Sequence, residues 1–215
     1  MKIIYNGPED GPLFVFAHGA GAPADSDFME TITAGLVLRG IRVARFNFAY
    51  MQQRIENGTR RPPERAEKLI TQYAELITGI DQAVVIGGKS MGGRIASLLA
   101  TQCAFHNITN VKGIICLGFP FHPVGKPEKL RTLHFPLIQQ DTLIIQGERD
   151  RLGSRDEVQS YGLPEEIQWL WLEDGDHDLK PRIKSGFSYQ AHLEKALDNM
   201  ALFIKNRVDY TRSAN

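Results

Sequence analysis

Short apolar runs alternate along the chain with longer segments in which apolar residues recur every three or four positions. The runs predict β-strands at 13–17, 41–46, 83–87, 113–117, 142–146 and 167–172. The periodic segments predict helices at 28–39, 62–77, 91–103 and 189–208. Residues 47–62 are polar and have no clear period, so we expect a loop there.

This alternation of strands and helices predicts an α/β fold, with a mostly parallel sheet and helices on both faces. A chain of 215 residues fits one domain, residues 1–215, better than two. In such sheets ligands bind outside the carboxyl ends of the strands. We therefore look for functional side chains in the segments that directly follow the predicted strands.

Charge and cysteine content narrow the class of protein. The 25 Lys and Arg residues balance 25 Asp and Glu residues, which gives no reason to expect a nucleic-acid partner. No apolar run is long enough for a membrane span, and residues 1–11 lack the apolar core of a signal peptide. The two cysteines, Cys103 and Cys116, have no metal-ligand spacing. We expect a cytoplasmic protein with reduced thiols and no membrane partner; the oligomeric state stays open.

The stretch AVVIGGKSMGGR, residues 83–94, fits two different motifs. A phosphate-binding loop, G-x-x-x-x-G-K-[ST], would need a glycine where Ala83 stands. Its curled backbone would also have to form from the β-branched residues at 84–86, which favour a strand. A G-x-S-x-G turn between a strand and a helix matches instead, with Ser90 as the nucleophile.

That turn makes physical demands that the sequence meets. Bulky neighbours would collide in so tight a bend, and Gly88 and Gly92 stand two residues to either side of Ser90. The turn would also leave the Met91 amide free at a helix N-terminus, where it can donate to an anion. Because serine and glycine are common, a glycine-rich turn with an incidental serine is the alternative. Lys89 fits a solvated turn position better than a catalytic one.

A serine hydroxyl needs an adjacent base, and in this arrangement the acid and then the histidine follow the serine along the chain. His177 comes after the last predicted strand, in the loop 173–178, and is the candidate base. Asp150 ends the loop after the preceding strand and is the candidate acid. Glu148 comes too soon after that strand, and Asp156 stands where a helix begins. The acids at 174, 176 and 178 fit a solvated rim, although one of them could tune the base.

A second oxyanion donor should come from the loop 18–22, where small residues let the backbone approach a substrate. Ala20 is favoured for this amide, with Gly21 as the alternative. His18 either props the loop or is an ordinary loop residue. Residues 45–50 either line the pocket or serve as packing aromatics with surface polar groups.

Four motifs in order, HGAGA, GGKSMGGR, GERD and GDHD, resemble the α/β-hydrolase superfamily over nearly the whole chain. Within this match, GGKSMGGR, LGFPFHPVGKPEKLR at 117–131 and LIIQGERD at 143–150 are similar to a subgroup of small bacterial predicted hydrolases. This subgroup is related to the hydrolase-like domain of testis-expressed and nonspecific-lethal complex proteins. The resemblance implies an α/β-hydrolase fold with no metal and no organic cofactor. Fewer N-terminal strands imply a sheet of about six or seven, and no large cap domain is expected.

The resemblance implies Ser90 as nucleophile, Asp150 as acid and His177 as base, with Met91 and Ala20 at the oxyanion positions. The residues and the resemblance thus predict a serine hydrolase that acts on small-molecule esters or thioesters. The rival hypothesis is a binding or scaffold protein that keeps the fold without turnover. Acyl transfer or peptide cleavage is a third possibility, and the natural substrate stays open.

Overall fold

The computed structural model of the protein describes residues 1–58 and 61–208, which form one sheet with helices on both of its faces. The strands are β1 (Ile3–Asn6), β2 (Leu13–Ala17), β3 (Arg42–Phe46), β4 (Val84–Lys89), β5 (Val111–Leu117), β6 (Asp141–Gly147) and β7 (Gln168–Leu172). The helices are α1 (Asp27–Leu38), α2 (Ala49–Asn57), α3 (Ala66–Thr78), α4 (Met91–Ala100), α5 (Arg155–Gln159) and α6 (Tyr189–Val208).

The strand order across the sheet is β1-β3-β2-β4-β5-β6-β7. Only the edge pair β1–β3 is antiparallel among the described pairings, and every other neighbouring pair is parallel. The predicted fold class is confirmed: a mostly parallel seven-stranded sheet between helices. Because β2, β4, β6 and β7 run in the same direction, the loops that follow them meet at one edge.

Side-chain alternation along the strands divides the core into two layers. In β2, Leu13 and Val15 pack with α3 and α4, whereas Phe14 and Phe16 pack with α1 and α6. All of these side chains are at most 2% exposed. A strand covered on both faces is apolar at every position, which is why β2 appears in the sequence as an uninterrupted apolar run.

Several predicted boundaries need correction, and the largest concerns residues 47–62. Helix α2 stands where a loop was expected; it buries Tyr50 and Met51 and ends at Gly58, which adopts a left-handed conformation (φ 66°). Most of its other residues are polar and Ile55 is exposed, so two buried positions gave too weak a period. Strand β1 was not predicted because it is a short, half-buried edge strand.

Smaller differences affect helix ends. Helix α3 begins at Ala66, after the two prolines rather than at them, and its N-cap Arg65 is extended. Helix α4 ends at Ala100, three residues before the predicted end, and the chain then continues in turns. In residues 1–58 and 61–208, no helix is both long enough and apolar enough to cross a membrane. Cys103 and Cys116 are free and buried.

Candidate active site

Ser90 lies in a strained turn between β4 and α4. Its backbone has φ 52° and ψ −114°, a region that residues with a side chain seldom occupy. Its amide donates to the Leu117 carbonyl of the neighbouring strand at 2.8 Å, which fixes the strained peptide. Such a conformation costs about 1–3 kcal/mol, and a close-packed surrounding is needed to hold it.

The two glycines of the motif supply that close packing. A Cβ at Gly88 would overlap the Gly92 backbone and the Ala17 carbonyl oxygen. A Cβ at Gly92 would overlap the carbonyl groups of Ala17 and His18. Neither position has room for a side chain, because β2, the turn and the start of α4 touch through their backbones.

His177 contacts Ser90 on one side and Asp150 on the other. Its Nε2 lies 2.9 Å from Ser90 Oγ, and its Nδ1 lies 2.8 Å from Asp150 Oδ2. The loops after β4, β6 and β7 thus bring together the three residues that were predicted from the sequence. The side chain of His177 is 29% exposed, so solvent reaches the contacts among Ser90, His177 and Asp150 at the histidine.

Asp150 is fully buried and accepts several hydrogen bonds. Leu152 N donates to Oδ1 at 2.8 Å, and Gln146 Nε2 donates to Oδ2 at 2.8 Å, beside the contact with His177. Hydrogen bonds to an ionised carboxylate are about twice as strong as neutral ones. The carboxylate is therefore held in one orientation, with an oxygen aimed at the imidazole.

Gln146 is a site residue that sequence reasoning missed. It is fully buried at the end of β6, and its Oε1 accepts from Phe119 N at 2.7 Å. Its Nε2 approaches Asp150, the Phe119 carbonyl and the Gly153 carbonyl. A glutamine inside an apolar strand run was the only available signal, since a polar side chain at such a position needs buried partners.

The competing acids have other partners. Glu148 forms an ion pair with Arg155 at 2.6 Å, and Asp156 is exposed in the first turn of α5. Asp174 is not part of a solvated rim: its side chain is only 10% exposed and pairs with Arg149 and Arg182. Within the described chain, Asp150 is thus the acid that contacts His177.

Lys89 does not occupy the solvated position that the sequence favoured. It is 8% exposed, and its Nζ donates to the backbone carbonyl of His177 at 2.6 Å. The same Nζ lies 3.3 Å from Asp178 Oδ1. Burial lowers the pKa of Lys89, and the carboxylate of Asp178 opposes that shift. Lys89 connects β4 to the loop that carries His177.

The loop 18–22 lies beside the serine. A Cβ on Gly19 would stand 3.9 Å from Ser90 Cβ. Tyr50 Oη donates to the Ala20 carbonyl at 3.0 Å, which orients the next peptide of the loop. Ala20 lines the space on both sides of Ser90, whereas Gly21 lines only one side. Ala20 therefore lies next to Ser90, and its oxyanion role stays a prediction.

The His18 side chain stabilises this loop through two hydrogen bonds to the backbone. It is fully buried; its Nδ1 lies 2.6 Å from the Gly19 carbonyl, and its Nε2 accepts from Phe48 N at 3.1 Å. Burial lowers its pKa to about 4, so the ring is neutral at pH 7. A neutral ring donating through Nδ1 and accepting at Nε2 satisfies both contacts.

The segment 45–50 holds the loop after β2 in place through its polar groups. Arg45 is buried and donates to Glu30 and to the Ala24 carbonyl, and the Asn47 side chain accepts from Ala24 N. Phe46 packs in the core. Both expectations for this segment were partly wrong, because its polar groups fix the loop after β2 from within the protein.

Two clefts open on either side of Ser90. The first, of about 280 Å³, is named the arginine cleft and is lined by Ala20, Pro63, Glu64, Ala66, Leu69, Ser90, Met91, Arg94, Ile95, Pro120, Arg131 and Leu152. The second, of about 270 Å³, is named the lysine cleft and is lined by Gly19, Ala20, Gly21, Ala22, Ser26, Phe28, Met29, Lys89, Ser90, His177 and Asp178. A group bound at Ser90 can therefore extend in two directions.

Comparisons with known proteins identify the family and the fold. Residues 10–205 match the family described as an alpha/beta hydrolase domain. Among solved structures, the protein Est1E from Butyrivibrio proteoclasticus, with bound ferulic acid, is similar, with a TM-score of 0.68 and 13% identity. That alignment covers 97% of this chain and 95% of Est1E.

Two further structures share the fold. An alpha-beta serine hydrolase homologue from Coxiella burnetii has a TM-score of 0.66 and 12% identity over 93% of this chain and 89% of that one. A dienelactone hydrolase from Anabaena variabilis has a TM-score of 0.65 and 18% identity over 92% of this chain and 90% of that one. At such identities the likeness demonstrates a shared fold alone.

Proposed function

Because the chain belongs to the alpha/beta hydrolase domain family, we propose that it is a serine hydrolase that cleaves carboxylic esters or thioesters. The observation that carries the proposal is the relay from Ser90 Oγ through His177 to Asp150, with contacts of 2.9 and 2.8 Å. Those distances lie within reach of proton transfer without any rearrangement.

The first half of the reaction acylates the serine. Ser90 Oγ attacks the substrate carbonyl carbon while His177 Nε2 takes the hydroxyl proton. The carbonyl oxygen becomes an oxyanion, which the Met91 and Ala20 amides stabilise. One such donor is typically worth about 10²–10³ in rate. His177 then gives its proton to the departing alcohol or thiol, and the carbonyl reforms as an acyl-enzyme.

The second half releases the acid. Water enters the place of the leaving group, His177 Nε2 takes one of its protons, and the hydroxide attacks the acyl carbon. Collapse of the second tetrahedral intermediate returns the proton to Ser90 Oγ and frees a carboxylic acid. Asp150 holds the Nδ1–H tautomer of His177 and stabilises the imidazolium.

The names of similar folds support the proposal of ester chemistry. Two of them are named a serine hydrolase homologue and a dienelactone hydrolase, and a lactone is a cyclic ester. We also propose that the chain belongs with the small bacterial hydrolases related to testis-expressed and nonspecific-lethal complex proteins, on the motifs of residues 117–131 and 143–150. Two buried free cysteines favour a reducing compartment such as the cytoplasm.

A fluorophosphonate probe tests the proposal directly. We expect stoichiometric labelling of the folded protein, measured by intact mass, and no labelling of Ser90→Ala. Ser160→Ala, which alters an exposed serine at the end of α5, is the matched control and should label normally. Failure of the wild-type protein to label, with circular dichroism showing it folded, would favour the scaffold hypothesis instead.

A further inference from the structure

Two arginines line the arginine cleft together with the serine. Arg94 lies on α4, and its amide donates to the Ser90 carbonyl at 3.0 Å, so it stands one helical turn beyond Ser90. Four residues of α-helix rise about 6 Å. Arg131 comes from the segment between β5 and β6 and reaches the same cleft.

Neither guanidinium has an anionic partner in the described part of the chain. No carboxylate of residues 1–58 or 61–208 lies within ion-pair distance of Arg94 or Arg131, and Arg94 Nε is buried without a hydrogen bond. Burial, and then the charge of Arg131, lowers the pKa of Arg94. Arginine stays charged in proteins nevertheless. Two partly buried like charges near one another are unfavourable unless an anion joins them.

The other charges around the cleft leave this excess in place. Glu64 lines the cleft, but it forms an ion pair with Lys68 and accepts from Gln72 Nε2 at 2.7 Å. Glu67 attracts Arg94 from an exposed position on α3. Burial, followed by the charge of Arg94, lowers the pKa of His134 to about 4, so that ring is neutral at pH 7.

The position of His177 decides which part of a substrate would enter this cleft. His177 lines the lysine cleft and is not among the residues that line the arginine cleft. The leaving alcohol or thiol must take its proton from His177 Nε2, so it has to occupy the lysine cleft. The acyl chain then extends the other way, past Met91 and along α4 toward Arg94.

We propose that the substrates are esters or thioesters of short dicarboxylic acids, and that the free carboxylate of the acyl group binds between Arg94 and Arg131. This inference rests on the proposed serine-hydrolase function and names its substrate class. Guanidinium groups bind carboxylates with charge-assisted, often bidentate hydrogen bonds.

Mono-p-nitrophenyl adipate and p-nitrophenyl hexanoate test it, because the two acyl chains differ only in the terminal carboxylate. After subtraction of spontaneous hydrolysis, we expect kcat/KM to favour the adipate ester at least tenfold. Arg94→Met and Arg131→Met should each lower kcat/KM for the adipate ester by about 10- to 100-fold, mainly through KM. The preference for the adipate ester over the hexanoate ester should fall by a similar factor, because the hexanoate ester has no carboxylate for the arginines to bind.

Lys129→Met is the matched control, because it removes one exposed positive charge from the same segment as Arg131. It should leave the adipate preference intact. Equal kcat/KM for the two esters, with Ser90-dependent turnover of both, would overturn the substrate class and spare the hydrolase function. A preference for 4-carboxyphenyl hexanoate, which carries the carboxylate on the leaving group, would overturn the acyl-side placement.

A binding measurement separates the two proposals if turnover is absent. Adipate added to Ser90→Ala protein should bind by isothermal titration calorimetry, and the binding should be lost in Ser90→Ala/Arg94→Met. Binding without any turnover by the wild-type protein would retain the anion site and reject the hydrolase. Absence of adipate binding would reject the anion site, whatever the outcome with neutral esters.

Discussion

Ser90 separates two clefts whose buried cations have different surroundings. In the lysine cleft, Lys89 donates to the His177 carbonyl and lies close to Asp178. In the arginine cleft, no carboxylate of the described residues lies within ion-pair distance of Arg94 or Arg131, and Arg94 Nε has no hydrogen bond. Burial lowers the pKa of Lys89 and of Arg94 alike. Three aspartates, Asp178, Asp150 and Asp176, oppose the shift at Lys89, whereas Glu67 opposes it at Arg94.

This difference shows that the partners of a buried cation indicate whether it stabilises the fold or is available to a ligand. A cation whose hydrogen bonds end on the protein itself holds the fold, as Lys89 holds the loop of His177. A cation that keeps an unsatisfied donor beside a nucleophile is available to a ligand. Exposed arginines elsewhere in the protein, such as Arg155 and Arg182, have carboxylate partners, so the unpaired state of Arg94 is not a general property of the surface.

The largest expected effect comes from Asp150→Asn, which removes the carboxylate that contacts His177. The three donors around the carboxylate leave no good place for an amide NH₂, and His177 would lose the tautomer that accepts the serine proton. We expect kcat to fall by about 10⁴-fold for neutral and anionic esters alike. Steady-state kinetics check this, with circular dichroism as the test of folding.

Asp156→Asn is the matched control for that change, because Asp156 is the exposed acid that the sequence offered as an alternative. Its kcat should stay within twofold of wild type. If Asp150→Asn retained more than a tenth of the activity while remaining folded, the relay would not be the catalytic device.

A smaller loss should follow Lys89→Met. Removing a charged donor from a backbone carbonyl costs about 1.5–3 kcal/mol, and here it frees the loop that positions His177. We expect kcat to fall by about 10- to 100-fold for the adipate and hexanoate esters equally, with little change in KM. Arg94→Met, by contrast, should discriminate between them.

Lys184→Met removes an equal charge from an exposed position further along the same loop and should leave kcat unchanged. The melting temperature of Lys89→Met should fall as well, since the buried contact stabilises the folded loop. A selective loss for the adipate ester would mean that Lys89 binds substrate, and the contrast between the two clefts would fail.

The smallest effect is on stability against pH. His18 and His134 both have folded pKa values lowered to about 4, chiefly by burial, against about 6.5 in the unfolded chain. Between pH 6.5 and 5 the unfolded state therefore binds more protons, and the free energy of unfolding falls as the pH falls. The slope is at most about 1.4 kcal/mol per pH unit for each histidine.

Urea unfolding at pH 7, 6 and 5 measures this slope. Arg94→Met should make it shallower, because the pKa of His134 rises when the neighbouring charge is removed, whereas Lys129→Met should not. The contribution of His18, which begins the loop 18–22, should persist in both variants. A stability that stays constant from pH 7 to pH 5 would contradict the burial of the two neutral rings.

The elements that the sequence predicted best bury many apolar side chains in a regular pattern. The central strands are uninterrupted apolar runs, and α6 carries apolar residues at helical spacing over its full length, Tyr189–Val208. Helix α2 and strand β1 were missed because each buries only part of one face. A weak local pattern becomes an element only when the neighbouring layer covers it.

In the candidate site, too, features set by local sequence were predicted and features set by distant partners were missed. The serine turn demands small residues at fixed spacing, so its chemistry was visible as a motif around Ser90. Gln146 and Lys89 were not recognised, because their roles depend on partners that come from distant loops: the Phe119 backbone and Asp150 for Gln146, and His177 for Lys89.

The sequence by itself determined the layered α/β fold and the positions at which a serine, an acid and a histidine could follow strands, because strand periodicity and turn sterics are local. Only the tertiary structure decided that His177 lies between Ser90 and Asp150, and that Lys89 is paired while Arg94 is not. Those outcomes depend on which loops the parallel strands bring to one edge, and side-chain distances across that edge are set by packing of the whole sheet.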